Sequence, residues 1–315
     1  MKRVSVAMAT YNGEKYLKEQ LDSLYSQTVV PDEIVVCDDC SNDRTIDILE
    51  EYHQKKGLKY YINSSNLGVN KNFEKAIRLC TSDYVAICDQ DDIWFPKKIE
   101  TLLKKMIEVE NGEPCVVSSQ SVSLKSDMST KPYAIKKDSV GISATLLQAG
   151  NVQGCTLMLN KKIIDMLKSF PESYKDIMMY DCYISFVAAT CGIKYNIGLA
   201  LMAYRRHDSN VLAKIQADES LLSRILRKLR KLKYDRMFPS WRCFTLKCIY
   251  DEYFDLMHEN AKKIIEKIVA YGKGGLFTRI KFIMSINDFG LKFKINNVLL
   301  ELVMFFIPIK NTSRR

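Results

Sequence analysis

Three carboxylates fall within four residues at Asp89-Gln90-Asp91-Asp92. Like charges this close repel, and burying them without a partner is costly. The stretch therefore calls for a positive counterpart. A divalent cation, Mg2+ or Mn2+, is the simplest one, because hard cations take oxygen ligands and keep positions open for a substrate phosphate. The bland alternative is an acidic surface turn that caps the helix after Pro96. Two more polar stretches, Thr10-Tyr11-Asn12-Gly13 and Asp38-Asp39-Cys40-Ser41-Asn42-Asp43, are rich in turn and cap residues. Asp181 opens an apolar helical run, where an acid also suits the helix dipole. His207 is one of only three histidines, and it follows an apolar run.

These residues need elements to hold them. Val4–Ala9 reads as a first strand, Glu14–Gln27 as a helix with Leu17, Leu21 and Leu24 on one face, and Glu33–Cys37 as a second strand. A helix to about Lys55, a strand Leu58–Ile62, a helix from about Asn70 to Cys80 and a strand Tyr84–Cys88 continue the alternation. Such alternation predicts an α/β fold with a parallel sheet and helices on both faces. Ligands of these sheets bind beyond the carboxyl ends of the strands. All three polar loops follow strand ends, so they are expected to converge on one crevice. No G-x-G-x-x-G follows the first strand and no P-loop lysine occurs, so a nucleotide there is held by side chains and a metal. Farther on, Val116–Ser119 and Ser121–Leu124 read as a strand pair, and Asp127–Val140 as a polar loop. Asn151–Asn160 reads as a strand entered through a turn, Met179–Cys191 as a helix ended by Gly192, and Tyr195–Ile197 and Leu199–Tyr204 as strands.

The chain has 315 residues, 47% of them hydrophobic, which excludes a disordered protein and allows one large or two small domains. Its ten cysteines are scattered, many in apolar runs, as buried reduced thiols are. Cys37 and Cys40 form a CxxC with no second pair at zinc spacing. The start, Met1–Val6, enters a strand pattern without the apolar core of a secretory leader, so a cytoplasmic protein is expected. The net charge of +10 is uneven. Residues 211–315 carry 21 Lys and Arg against 10 Asp and Glu, whereas the first 210 carry 26 against 27.

Taken together, four stretches in order resemble the family 2 glycosyltransferases, inverting, metal-dependent enzymes of the GT-A fold. They are Val6–Glu14, Glu33–Thr45, Asn66-Leu67-Gly68 and Asp89–Trp94. The last is similar to the form found in bacterial rhamnosyltransferases of cell-surface polysaccharides. The resemblance covers roughly residues 1–210 and implies a GT-A (Rossmann-like) catalytic domain, a mostly parallel sheet flanked by helices. It implies that Thr10, Tyr11 and Asn12 line the nucleobase and ribose pocket, and that Asp39 or Asp38 accepts a hydrogen bond from a pyrimidine N–H. Asp89 and Asp91 would hold ribose and metal, with His207 completing the metal site. Gln90, Asp92 and Trp94 go with the nucleotide-sugar pocket. Asp181 takes the place of the general base, although Tyr180 precedes it where the family often has an acid or histidine; Asp176 is the neighbouring candidate. The implied activity is transfer of a sugar from a UDP- or dTDP-sugar to a glycan acceptor, lipid-linked by expectation, in cell-surface polysaccharide synthesis. The alternatives are a sugar-nucleotide pyrophosphorylase, which wants a Gly- and Arg-rich first loop, and a catalytically silent membrane-associated assembly protein of the same fold.

Residues 211–315 form a separate, basic helical region. In Leu221–Lys233, Leu222, Ile225, Leu226, Leu229 and Leu232 share one helical face and basic residues the other. That is the pattern of a helix lying on an anionic membrane surface, or of one packed on the catalytic domain. The apolar run Val298–Ile309 is too short to span a bilayer. Peripheral docking at the inner face of the cell membrane, or self-association into a homo-oligomer, is expected. Nucleic acid is not, because the basic residues alternate with Leu rather than with stacking aromatics.

Overall fold

The structure is a computed structural model that describes residues 2–124, 137–140, 153–171, 178–205, 207 and 240–273. Asp176, the basic run Leu221–Lys233 and the apolar run Val298–Ile309 lie outside the described residues. The chain divides into two compact units, Met1–His207 and Asp208–Arg315.

The first unit opens with the expected alternation: β1 (Val4–Thr10), α1 (Leu17–Tyr25), β2 (Glu33–Asp38), α2 (Thr45–Lys56), β3 (Lys59–Ile62), α3 (Val69–Leu79) and β4 (Tyr84–Cys88). A two-residue strand β5 (Ile93–Trp94) and helix α4 (Lys98–Val109) follow. Then come β6 (Cys115–Leu124), β7 (Ser139–Val140), a 3₁₀ turn (Gly154–Thr156), β8 (Leu157–Asn160), α5 (Lys161–Met166), α6 (Tyr180–Cys191) and β9 (Ile193–Arg205). The sheet runs β3-β2-β1-β4-β8-β6-β9-β5, with β7 also on β9. It is parallel from β3 through β4. Beyond β4 it is mixed: β8 lies antiparallel between β4 and β6, while β6 and β9 are parallel.

The fully buried strands read as continuous apolar runs because both faces are covered. Val6, Met8, Val36, Ala86 and Cys88 join Leu17, Leu21, Leu24, Ile99, Leu102 and Met106 in one core. Each of the Val, Leu, Ile and Met side chains among them, fully buried, contributes roughly 1.5–3 kcal/mol. Two readings are corrected. Val116–Ser119 and Ser121–Leu124 are one strand, β6, whose register against β9 shifts on either side of Gln120. Tyr195–Ile197 and Leu199–Tyr204 are likewise one strand, β9. The polar interiors that suggested turns are irregularities within a ladder.

In the second unit, α7 (Ser240–Tyr253) and α8 (Glu259–Lys273) pack on one another through a 3₁₀ turn at Phe254–Leu256. Leu246, Ile249 and Tyr253 are buried, as are Ile264, Ile265 and Ile268. No helix of the described residues is long and apolar enough to cross a membrane.

Candidate active site

Strand β1 is the axis of the site. It pairs in parallel with β2 on one side and β4 on the other, Thr10 against Asp38 and Met8 against Cys88. Three strand ends therefore lie side by side, and the three polar loops leave the sheet at one edge.

The first two loops are tied to each other. Thr10 Oγ1 donates to Asp38 Oδ2 at 2.8 Å, and Ser41 donates its backbone N–H and its hydroxyl to the same carboxyl at 2.8 and 2.6 Å. Thr10 and Asp38 are 1% and 0% exposed, so their side chains serve the architecture of the loops. Asn12 takes the Asn42 N–H at 2.9 Å on its side-chain oxygen. Asn12 (φ 50°) and Cys40 (φ 66°) are left-handed, a conformation that costs on the order of 1–3 kcal/mol for a residue with a Cβ. Asp39 holds the Asn66-Leu67-Gly68 turn: its carboxylate accepts the N–H groups of Leu67 (2.7 Å) and Gly68 (2.9 Å) and the Asn63 amide (2.9 Å). The ring of Tyr11 is left exposed.

The acidic loop is tied to the first. The Gln90 amide accepts the Tyr11 N–H at 2.9 Å and donates to the Tyr11 carbonyl at 3.1 Å. A Cβ on Gly13 would stand 2.4 Å from Gln90 Oε1, so any other residue there would displace the Gln90 amide from its bonds to Tyr11. Asp91 and His207 meet, with Nε2 2.8 Å from Oδ2. The imidazole stacks on Tyr16, centroid to centroid 4.9 Å, and the Arg205 guanidinium covers the same ring at 4.4 Å. Arg205 also donates its backbone N–H to Asp92 Oδ1 (3.0 Å) and its Nε–H to the Asp91 carbonyl (2.9 Å), and it pairs with Glu19.

Beneath this lies a buried polar layer. Ligand atoms of Asp89, Asp92 and Cys155 lie within 4.8 Å of one another. Burial, then the neighbouring acids, hold Asp89 well above the usual carboxylate range. Burial, then Asp91, push Asp92 up to about 7. Lys98 is fully buried, donates to the Cys155 carbonyl and sits 3.6 Å over the Trp94 ring; burial lowers its ammonium to about 8. Trp94 itself is 2% exposed and part of the core. Its ring is the apolar seat of the Lys98 ammonium.

Asp181 reaches the same region from α6. Burial pushes its carboxyl up to about 6, against hydrogen bonds from Cys182 and the Gly154 backbone. Its charge is felt at Asp89. Its neighbour Tyr180 stacks on Phe73 at 4.2 Å and turns its hydroxyl under Gly154, where a Cβ would stand 1.8 Å away. Asn70 fixes the start of α6 by accepting the Tyr180 N–H at 2.9 Å and donating to the carbonyls of Met178 and Pro171.

The family profile described as Glycosyl transferase family 2 matches residues 5–165, more than half of the chain. The chain belongs to glycosyl transferase family 2. This glycosyltransferase is 31% identical to the dTDP-rhamnosyl transferase RfbG of Shigella flexneri over 214 residues, 64% of this chain and 72% of that protein. A glycosyltransferase of Rickettsia typhi is 28% identical over 238 residues, 72% and 73% of the two chains. In fold it is similar to S. aureus TarS 1–349, solved in complex with UDP-GlcNAc (TM-score 0.61, 20% identity, 96% of this chain and 79% of that one). It is thus a glycosyltransferase with the GT-A architecture, not a pyrophosphorylase.

The donor set of this glycosyltransferase fits a hard or borderline divalent cation: the carboxylates of Asp91 and Asp89 and the imidazole of His207. Sequence reasoning missed Tyr16, Glu19, Arg205, Lys98 and Cys155. Each was an unremarkable residue on a helix or strand, and only the tertiary fold brings them under or beside the acidic loop.

Proposed function

We propose that the protein transfers a sugar from a pyrimidine nucleotide-sugar, dTDP- or UDP-linked, to a hydroxyl of a glycan acceptor with inversion at the anomeric carbon. The observation that carries this reading is the pairing of two chemistries at one sheet edge. One is an acid-rich loop suited to a cation and a diphosphate; the other is Asp181, a separately mounted carboxyl with a raised proton affinity. RfbG, by its name, uses a dTDP-linked rhamnose, which favours dTDP-rhamnose as the first donor to try. The TarS complex supports a nucleotide-sugar in the corresponding crevice.

In this reading Asp181 accepts the proton of the acceptor hydroxyl as that oxygen attacks the anomeric carbon, and the bond to the diphosphate oxygen breaks on the opposite face. Tyr11 and Asn12 face the nucleobase and ribose. Asp39 keeps one lone pair beyond its three donors to accept a pyrimidine N–H. Thr10, Asp38 and Gln90 act one step back, holding those loops in shape, and Asp92 acts from below the acidic loop. A divalent cation, Mn2+ or Mg2+, held by Asp91, His207 and Asp89, would offset the charge on the departing diphosphate. The acceptor is a lipid-linked glycan of a cell-surface polysaccharide, because a basic region adjoins the catalytic unit in the chain and suits an anionic membrane face.

The test is donor turnover. With Mn2+ and a lipid-linked glycan acceptor, dTDP-rhamnose or a UDP-sugar should yield free nucleoside diphosphate and a product of inverted linkage. Retention of configuration, or no diphosphate from any pyrimidine nucleotide-sugar, would sink the proposal.

A further inference from the structure

The buried layer under the acidic loop has more charge than the transfer reaction uses. Asp89, Asp92 and Cys155 present ligand atoms within 4.8 Å of one another. Asp92 and Cys155 are 0% exposed. Asp92 accepts the Arg205 N–H on Oδ1, but its Oδ2 is buried with no N–H or O–H partner. A buried carboxylate oxygen in that state is costly unless something positive or donating reaches it. The Cys155 thiol hydrogen-bonds the carboxyls of both Asp92 and Asp89, but a thiol is a weak donor and cannot serve both fully. Lys98 is engaged elsewhere, on the Cys155 carbonyl, the Met202 sulfur at 3.3 Å and the Trp94 face.

We propose that Asp89, Asp92 and Cys155 form a second, thiol-containing cation subsite that takes a borderline divalent ion of the zinc type. Charge balance supports it. Two carboxylates and one thiolate carry three negative charges, and the Lys98 ammonium with one dication cancels them inside a region with little water. Size supports it too. A tetrahedral zinc-type ion with bonds of 2.0–2.3 Å sets its ligand atoms about 3.5 Å apart. Atoms already within 4.8 Å need an inward adjustment on the order of 1 Å, within reach of side-chain rotation. Ligand chemistry sets the selectivity. Thiolate ligation favours zinc and cadmium and disfavours magnesium. Binding releases the thiol proton to solvent, so metal uptake is accompanied by proton release. The ion draws on Asp89, which the proposed transfer mechanism needs for the donor complex. Zinc therefore competes with transfer, a consequence that rests on that mechanism, whereas the binding itself does not.

The experiment uses the full chain, stripped with chelator and titrated with Cd2+ while the ultraviolet cadmium–thiolate charge-transfer band is followed. One equivalent should develop the band. Cys155→Ser should remove it, whereas Cys40→Ser, Cys182→Ser and Cys248→Ser, at partly exposed thiols, should leave it. Asp92→Asn should weaken Cd2+ binding by more than about tenfold. X-ray absorption on the zinc-loaded parent, which needs no variant, should show one sulfur in the first shell. A parent without the band, a band that survives Cys155→Ser, or a sulfur-free zinc shell overturns the subsite. In turnover assays with Mn2+, added Zn2+ should inhibit the parent, and Cys155→Ser should relieve that inhibition. If the spectra hold and inhibition is absent, the subsite stands and the shared use of Asp89 falls.

Discussion

Asp181 is asked to be a base, and its surroundings set the pH at which it can be one. A carboxyl raised to about 6 is mostly ionised at pH 7 and takes a proton more readily than an exposed aspartate does. Turnover should therefore climb with pH along an acidic limb centred near 6. General-base assistance is worth ~10²–10⁴-fold, so Asp181→Asn should lose that much in kcat with donor affinity nearly unchanged. The same shift has a stability sign. The folded state binds this proton more tightly than the unfolded state, whose value is near 3.8, so the contribution is full below that pH and is lost as pH rises through about 6. At pH 7 Asp181→Asn should then melt no lower than the parent. A lower melting point with turnover close to parental would make Asp181 a structural acid and move attention to Asp176. The cation gives a second test at this scale. Asp91→Asn should weaken nucleoside-diphosphate binding in Mn2+ and hardly alter it in chelator, while full transfer in excess chelator would remove the ion from the mechanism.

At the scale of elements, Asp181, the proposed base, is placed by a clamp between helices α3 and α6. Asn70, one residue inside α3, makes three hydrogen bonds to residues 171–180 and so sets where α6 begins. Asn70→Ala leaves those buried groups without partners, at about 1–3 kcal/mol for each one that stays unsatisfied. The expected result is a lower melting temperature and a reduced kcat, with donor KM less affected because the bonds from Leu67 and Gly68 to Asp39 are kept. An Asn70→Ala enzyme with parental kcat would show that α6 is positioned by its apolar packing alone. What could be read in advance follows the same division. The alternation up to Cys88, the three converging loops and the α6 boundaries were legible because apolar period, turn residues and Gly192 are local signals. The single strands β6 and β9 were not, because Ser118, Gln120 and Gly198 look like turns until the partner strand is known. Lys98 reads as a surface lysine after a proline, and Cys155 as a core thiol. Nothing local tells that α4 and the 3₁₀ turn before β8 bring them together beneath Asp92. Trp94, placed with the nucleotide-sugar pocket through the family resemblance, is buried in the core, which its position after an acidic loop does not reveal.

At the scale of the whole molecule, charge separates two parts of the chain that share no chemistry. The first 210 residues are nearly neutral, with 26 basic side chains against 27 acidic ones, and the three loops bring a subset of the acids to one edge of the sheet. The following 105 residues carry 21 basic side chains against 10 acidic ones. A transferase acting on a lipid-linked acceptor gains from residence at the membrane, since the surface confines both partners. An interfacial helix supplies this through a buried apolar face together with attraction of roughly 1 kcal/mol for each basic residue close to an anionic surface. Replacing Arg227, Lys228, Arg230 and Lys231 by Gln removes four such charges and leaves unchanged the residues of the apolar face expected from the sequence, Leu222, Ile225, Leu226, Leu229 and Leu232. The variant should leave vesicles that contain anionic lipid, and the parent should do the same as salt rises and the Debye length shortens to ~3 Å at 1 M. Neither change should affect neutral vesicles. Turnover of a vesicle-borne acceptor should fall more than turnover of a water-soluble one. If variant and parent partition equally onto anionic vesicles, the basic face is solvated surface and the region serves packing or self-association instead.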